Sequence, residues 1–174
     1  QAGIERWFRS QWQQTPAPFY GSVDLRNAGF KLAPVDTNLF PGGFNNLNPA
    51  FRSLAVQATQ AALERICPSA GSVLVIPENH TRNTYYFENL AALVEILRLA
   101  GLRVRVGSLL PDLREPKIIE LPSGHRVTLE PLIRENNKLT VAGFEPCFVL
   151  LNNDLSGGLP PVLSDLEQPV VPPS

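Results

Sequence analysis

Apolar and polar positions change their period several times along this chain, and each change predicts an element. Residues 3–14 put Ile4, Trp7, Phe8 and Trp12 on one helical face and Arg6, Arg9 and Gln13 elsewhere, which predicts a short docking helix. Thr15, Pro16 and Pro18 stop it. Residues 19–47, FYGSVDLRNAGFKLAPVDTNLFPGGFNNL, alternate loosely between apolar and polar, and Gly29, Pro34, Pro41, Gly42 and Gly43 break any long element. Short strand pieces joined by tight turns follow from that pattern. Asn48 can cap the next helix, with Pro49 at its first position, where a missing N–H costs nothing. Phe51, Leu54, Ala55, Ala58, Ala62 and Ile66 would form its buried stripe, and Pro68 and Gly71 end it.

The run SVLVI at 72–76 is continuously apolar, as in a strand covered on both faces. After ENHTRN, Thr84 is expected to cap a helix that carries Tyr86, Leu90, Leu93, Val94 and Leu97 inward and stops near Gly101. Residues 102–106 form another strand. Strand, loop, helix and strand in this order predict a parallel βαβ unit. KIIEL and RVTLEPL flank Pro122, Ser123, Gly124 and His125 and predict a β-hairpin. Glu135, Asn136, Asn137 and Lys138 mark a further turn before LTVAGF, and CFVLL is a second doubly covered strand that ends in NNDLSGG. The whole predicts one α/β domain with a mixed sheet and a hairpin insertion. Residues 161–174 are rich in proline and read as a linker toward another domain.

Composition narrows the partners. The 174 residues are 44% hydrophobic, enough for one sizeable core. Fifteen basic and 16 acidic residues give a formal charge of -1, with no electrostatic footprint for nucleic acid or an anionic membrane. No apolar run approaches the roughly 20 residues that span a bilayer, and the first ten residues lack the apolar centre of a signal peptide, so a cytoplasmic protein is expected. Cys67 and Cys147 lie far apart without metal-ligand spacing and read as reduced core residues.

Ligands in open α/β sheets bind outside the carboxyl ends of the strands. Two predicted strands end in polar clusters: Glu78, Asn79, His80, Thr81, Arg82 and Asn83 after the first, and Asn152, Asn153, Asp154 and Ser156 after the second. If residues 19–47 pack on the same edge, Arg26, Asn27, Asn38, Asn45 and Asn46 join them. Arg82, beside a helix start, suits a carboxylate or phosphate, because guanidinium pairs with either through two hydrogen bonds. Arg26 is the second choice. Asn38, Asn45, Asn79 and Asn83 could read amino and carboxylate groups, or could be caps and turns. His80 has no second ligand at metal spacing and reads as a loop residue, while Glu78 and Asp154 are possible magnesium ligands as strand-end carboxylates. Neither GxGxxG nor GxxxxGK[ST] occurs, so no nucleotide can be placed from motifs.

VDLRNAGFKLAPVDTNLFPGGFNNL, IPENHTRNTYYFENL at 76–90 and LLNNDLSGG at 150–158 resemble the proteobacterial, thiobacillus-type glutamate–cysteine ligase family, over essentially the whole chain. That resemblance implies ATP-dependent joining of L-glutamate and L-cysteine through a gamma-glutamyl phosphate, the first step of glutathione synthesis. It implies Mg as well as ATP, both bound mainly outside this chain, since members of the family are more than twice as long. It also implies a Rossmann-like, three-layer domain at residues 1–160 that binds substrate and precedes an ATP-grasp-like domain. On that account Arg26, Asn27, Asn38, Asn45, Asn46, Glu78, Asn79, Arg82, Asn83, Asn152, Asn153 and Asp154 are the substrate-binding candidates. The rival expectation is a non-catalytic α/β module that binds a small anionic metabolite or a protein partner.

Overall fold

A computed structural model describes residues 2–15, 17–79, 83–155 and 157–173. Helix α1 is Ala2–Gln14, and strands β1 (Ser22–Asn27) and β2 (Leu32–Asn38) follow as an antiparallel ribbon. Two short 3₁₀ turns, Phe44–Asn46 and Pro49–Phe51, lead into helix α2 (Arg52–Ile66). Asn48 caps that entry as expected, its side chain accepting from the Ala50 N–H at 3.0 Å.

The body of the domain is a six-stranded sheet. Strand β3 (Ser72–Pro77), helix α3 (Thr84–Leu99) and strand β4 (Arg103–Ser108) form the parallel βαβ unit. Strands β5 (Lys117–Glu120) and β6 (Arg126–Pro131) form the expected antiparallel hairpin, and β6 runs parallel to β4. Strands β7 (Ile133–Glu135) and β8 (Lys138–Thr140) make a separate small hairpin that turns at Asn136, where φ is 55°. Strand β9 (Phe148–Asn152) and the edge strand β10 (Val170–Val171) complete the spatial order β10-β9-β3-β4-β6-β5.

Side chains alternate across a strand, so the all-apolar β3 and β9 must be covered on both faces. Val73, Val75, Phe148 and Leu150 pack with Leu90, Leu93 and Leu97 of α3. Leu74, Ile76, Val149 and Leu151 pack on the other side with Leu139, Val141, Phe144 and Leu163. The result is an α/β domain of three layers: helices, mixed sheet, and a layer made of the β7–β8 hairpin with the chain that follows β9.

Three expectations require correction. The cap of α3 is Asn83, whose Oδ1 accepts from the Tyr85 N–H at 3.0 Å, and Thr84 is the first helical residue. In α2 only Ala62 and Leu63 are buried, while Phe51 and Leu54 face outward at 60% and 59% exposure. A helical stripe in sequence marks a face that needs covering, and these residues do not supply the cover. The proline-rich end is built into the domain instead of trailing from it. Gln168 is buried, with its side chain donating to the Leu139 and Pro146 carbonyls and accepting from the Leu139 N–H. Two strand residues on the sheet edge suffice for β10, and an edge is where flanking prolines are tolerated.

Candidate functional site at the carboxyl edge

The carboxyl ends of β3 and β9 lie side by side, with Pro77 in register with Asn152. Three distant segments meet there. Asn152 is buried, and its Nδ2 donates to the Pro41 carbonyl at 3.0 Å and reaches Tyr20 Oη at 3.5 Å. Tyr20 Oη donates to the Leu151 carbonyl. From α3, Tyr86 Oη accepts from the Glu78 N–H at 2.8 Å and shares its proton between the carbonyl and Oδ1 of Asn152, at 3.0 and 3.1 Å. Asn153, also buried, donates from Nδ2 to the Pro77 carbonyl at 3.2 Å and accepts from the Leu155 N–H at 3.0 Å. Tyr20, Tyr86, Asn152 and Asn153 each bond at least one backbone group at this edge.

Burial pushes the hydroxyls of Tyr20 and Tyr86 well above the ordinary tyrosine value. Hydrogen bonds oppose the shift, from Asn152 at Tyr20 and from the Glu78 backbone at Tyr86. Both phenols are therefore neutral donors across the physiological range. They pin the edge and do not supply a base.

The residues proposed from sequence divide into three groups. Asn152 and Asn153 spend their amides on the frame just described. Asn27, Asn38 and Asn83 serve local turns and caps, accepting from the N–H groups of Gly29, Phe40 and Tyr85. Asn79 and Asp154 are exposed at the edge and Glu78 is half-buried there. Asn45 and Asn46 lie exposed on the first 3₁₀ turn, whereas Arg26 lies out on the ribbon, exposed and away from the sheet. His80, Arg82 and Ser156 fall outside the described residues. The edge thus brings both ends of the 19–47 stretch, Tyr20 and Pro41, to Asn152, while the ribbon between them projects outward.

Tyr20, Tyr86 and Asn89 were not among the predicted site residues. Asn89 is buried on α3 and accepts from the Phe44 N–H at 2.8 Å, and its Nδ2 has no partner among the described residues. Phe44 in turn stacks on Tyr20, with ring centroids 6.0 Å apart. A cavity of about 490 Å³ begins at Phe44 and runs along α3, past Asn45, Leu47, Tyr85, Glu88 and His125. In it Ser123 donates to Glu88 through N–H and Oγ, at 3.0 and 2.6 Å, and those bonds hold the Glu88 carboxyl below its usual range. Ser123 Oγ also lies 3.1 Å from His125 Nδ1. A serine bonded between carboxylate and imidazole is held by both, which is not the order a serine nucleophile needs.

Among the described residues no group of three or more His, Cys, Asp or Glu side chains could hold a metal ion. A metal held by three protein side chains thus has no place among them, whereas magnesium bound with ATP takes only one or two carboxylates beside phosphate oxygens. Among the described residues, too, no helix is long and apolar enough to cross a membrane.

Comparison with known proteins agrees with this architecture. A crystal structure at 1.90 Å of a candidate gamma-glutamylcysteine synthetase from Methylobacillus flagellatus KT superposes with a TM-score of 0.95 and 60% sequence identity. The match covers 99% of this chain and 41% of that one, so the 174 residues span about two fifths of the relative's length. No curated protein matches the chain significantly. The sequence pattern of the family described as glutamate-cysteine ligase matches residues 1–174, and the chain belongs to that family.

Proposed function

We propose that these residues are the amino-terminal, substrate-binding part of an ATP-dependent glutamate–cysteine ligase in the cytoplasm. The observation that carries this reading is 60% identity, at a TM-score of 0.95, along nearly the whole chain to a candidate gamma-glutamylcysteine synthetase. The overall reaction activates the glutamate side-chain carboxylate as an acyl phosphate, using ATP as co-substrate, and the cysteine amine then displaces phosphate. Contacts to the nucleotide phosphates and magnesium are assigned mainly to the remaining three fifths of the polypeptide, which would supply cationic side chains for phosphate and carboxylates for magnesium. The rival of a non-catalytic module is not favoured by the family match.

Within that reading, the carboxyl edge is the amino-acid site. Tyr20, Asn152 and Tyr86 hold the strand ends at fixed spacing. Asn79, Asp154 and the Asn45–Asn46 turn face the substrate's charged groups. The start of α3 adds backbone N–H groups that favour a carboxylate. An acyl phosphate must be kept from water, which requires the remaining polypeptide to close over this edge.

The test is ADP release by the full-length polypeptide with glutamate, cysteine and Mg-ATP present together and each omitted in turn. Turnover that requires both amino acids is expected. ATP hydrolysis indifferent to them, or none at all in a folded protein, would overturn the reading.

A further inference from the structure

The β1–β2 ribbon has two unlike faces. In its register Val23 lies opposite Thr37, Leu25 opposite Pro34 and Asn27 opposite Leu32, so one face is mostly apolar. The other face carries Ser22 opposite Asn38, Asp24 opposite Asp36 and Arg26 opposite Ala33. A bulge after Asp24 sets this phase. The apolar residues lie open: Leu25 is 55% and Leu32 60% exposed, and Phe30 at the tip is 92% exposed. Neither ribbon strand pairs with the main sheet.

An isolated two-stranded ribbon is marginal in water, and so many exposed apolar side chains on one face and at the tip imply that something covers them. Both legs of the ribbon leave the body at one point. Tyr20 and Pro41 are tied to the end of β9 through Leu151 and Asn152, so the ribbon projects from the carboxyl edge itself. We propose that the apolar face of this ribbon, with Phe30 at its tip, is the docking surface for the part of the ligase polypeptide outside residues 1–174. The inference rests on the reading of this chain as a portion of a longer ligase, since it covers 41% of the chain it matches. A covalently tethered segment meets the ribbon at an effective concentration in roughly the millimolar range, which favours it over a second copy of the protein. Docking there ties the remaining polypeptide to Asn152, and hence to the strand ends that form the amino-acid site.

The experiment uses the full-length polypeptide with photoreactive p-benzoylphenylalanine replacing Leu32 on the apolar face or, as control, Asp24 on the charged face. Irradiation at position 32 is expected to give crosslinks within one molecule to peptides outside residues 1–174, with much lower yield from position 24. Crosslinks between differently isotope-labelled copies would assign the face to a second copy and overturn the proposal. Crosslinks confined to residues 1–174, or equal yields from both positions, would also overturn it. As a second reading, the Leu25→Glu, Leu32→Glu double variant should speed amide exchange in the ribbon roughly tenfold, while Arg26→Glu leaves it near wild type. Equal exchange in the two variants would overturn the proposal. Neither measurement requires turnover, so intramolecular crosslinks in a protein without ligase activity would sink the functional reading and leave the docking surface standing.

Discussion

Replacing Tyr86 by Phe removes one oxygen from the centre of the carboxyl edge and leaves the ring in place. The Glu78 N–H loses its acceptor and Asn152 loses a donor. Orphaned buried groups of this kind cost about 1–3 kcal/mol, so near pH 8 the variant should be less stable by about 2 kcal/mol. The gap should then shrink in alkali. Tyr86 has its pKa raised above the ordinary 10.0, chiefly by burial and further by the nearby Glu78 carboxylate. A raised pKa means that the unfolded state releases its proton first, so the stabilisation is full below pH 10 and is lost as pH climbs above it. One unit above that value, the loss reaches at most about 1.4 kcal/mol for each such phenol. Wild type should therefore lose this amount between pH 8 and pH 11 at Tyr86, and Tyr86→Phe should not. Urea unfolding of both proteins at the two pH values measures the gap, which should narrow from about 2 to about 0.6 kcal/mol. A gap that stays constant or widens would refute the picture of a buried, neutral phenol.

The same frame yields further expectations. Asn152→Ala strands the Pro41 carbonyl and loosens Tyr20, and should cost about 2–4 kcal/mol in urea unfolding, with faster amide exchange at residues 20–41. Arg105 forms a two-point pair with the buried carboxylate of Glu130. Arg105→Ala should cost about 2–3 kcal/mol, less than a fully buried pair because the Arg105 side chain is half open to water, and adding Glu130→Gln should recover part of that loss in a thermal melt. Asn48→Ala and Asn83→Ala each remove a cap that accepts from a backbone N–H and should each cost about 1 kcal/mol, additively, in circular dichroism melts.

Much of the fold was legible because its signals are local. SVLVI and CFVLL read as strands buried on both faces, and Gly29 marked where the ribbon turns, whereas Pro34, expected to break an element, lies inside β2 opposite Leu25. Asn48 and Pro49 announced the start of α2 by capping chemistry alone. What stayed hidden depends on contacts far apart in sequence. The Tyr20 bond to Leu151 spans 131 residues, and Tyr86 read simply as an inward helical residue. Asn152 and Asn153 were found as a polar strand end, yet whether such amides face a ligand or a backbone carbonyl depends on what packs beside them. The proline-rich end misled because proline density speaks for a linker only where no sheet edge is near. The apolar face of α1 was legible from its period, but the stripe of α2 was read as buried and the apolar face of the ribbon was not read at all, because period alone does not say what covers a face.

The central claim is that the carboxyl edge of β3 and β9 takes the amino-acid substrate. It is tested most directly by the KM for glutamate in the full-length polypeptide carrying Asn79→Ala and Asp154→Ala, with circular dichroism matching wild type. The account predicts a KM raised roughly tenfold or more, the scale of one lost charge-assisted hydrogen bond, with the KM for ATP little changed. An unchanged glutamate KM in the folded double variant would contradict it.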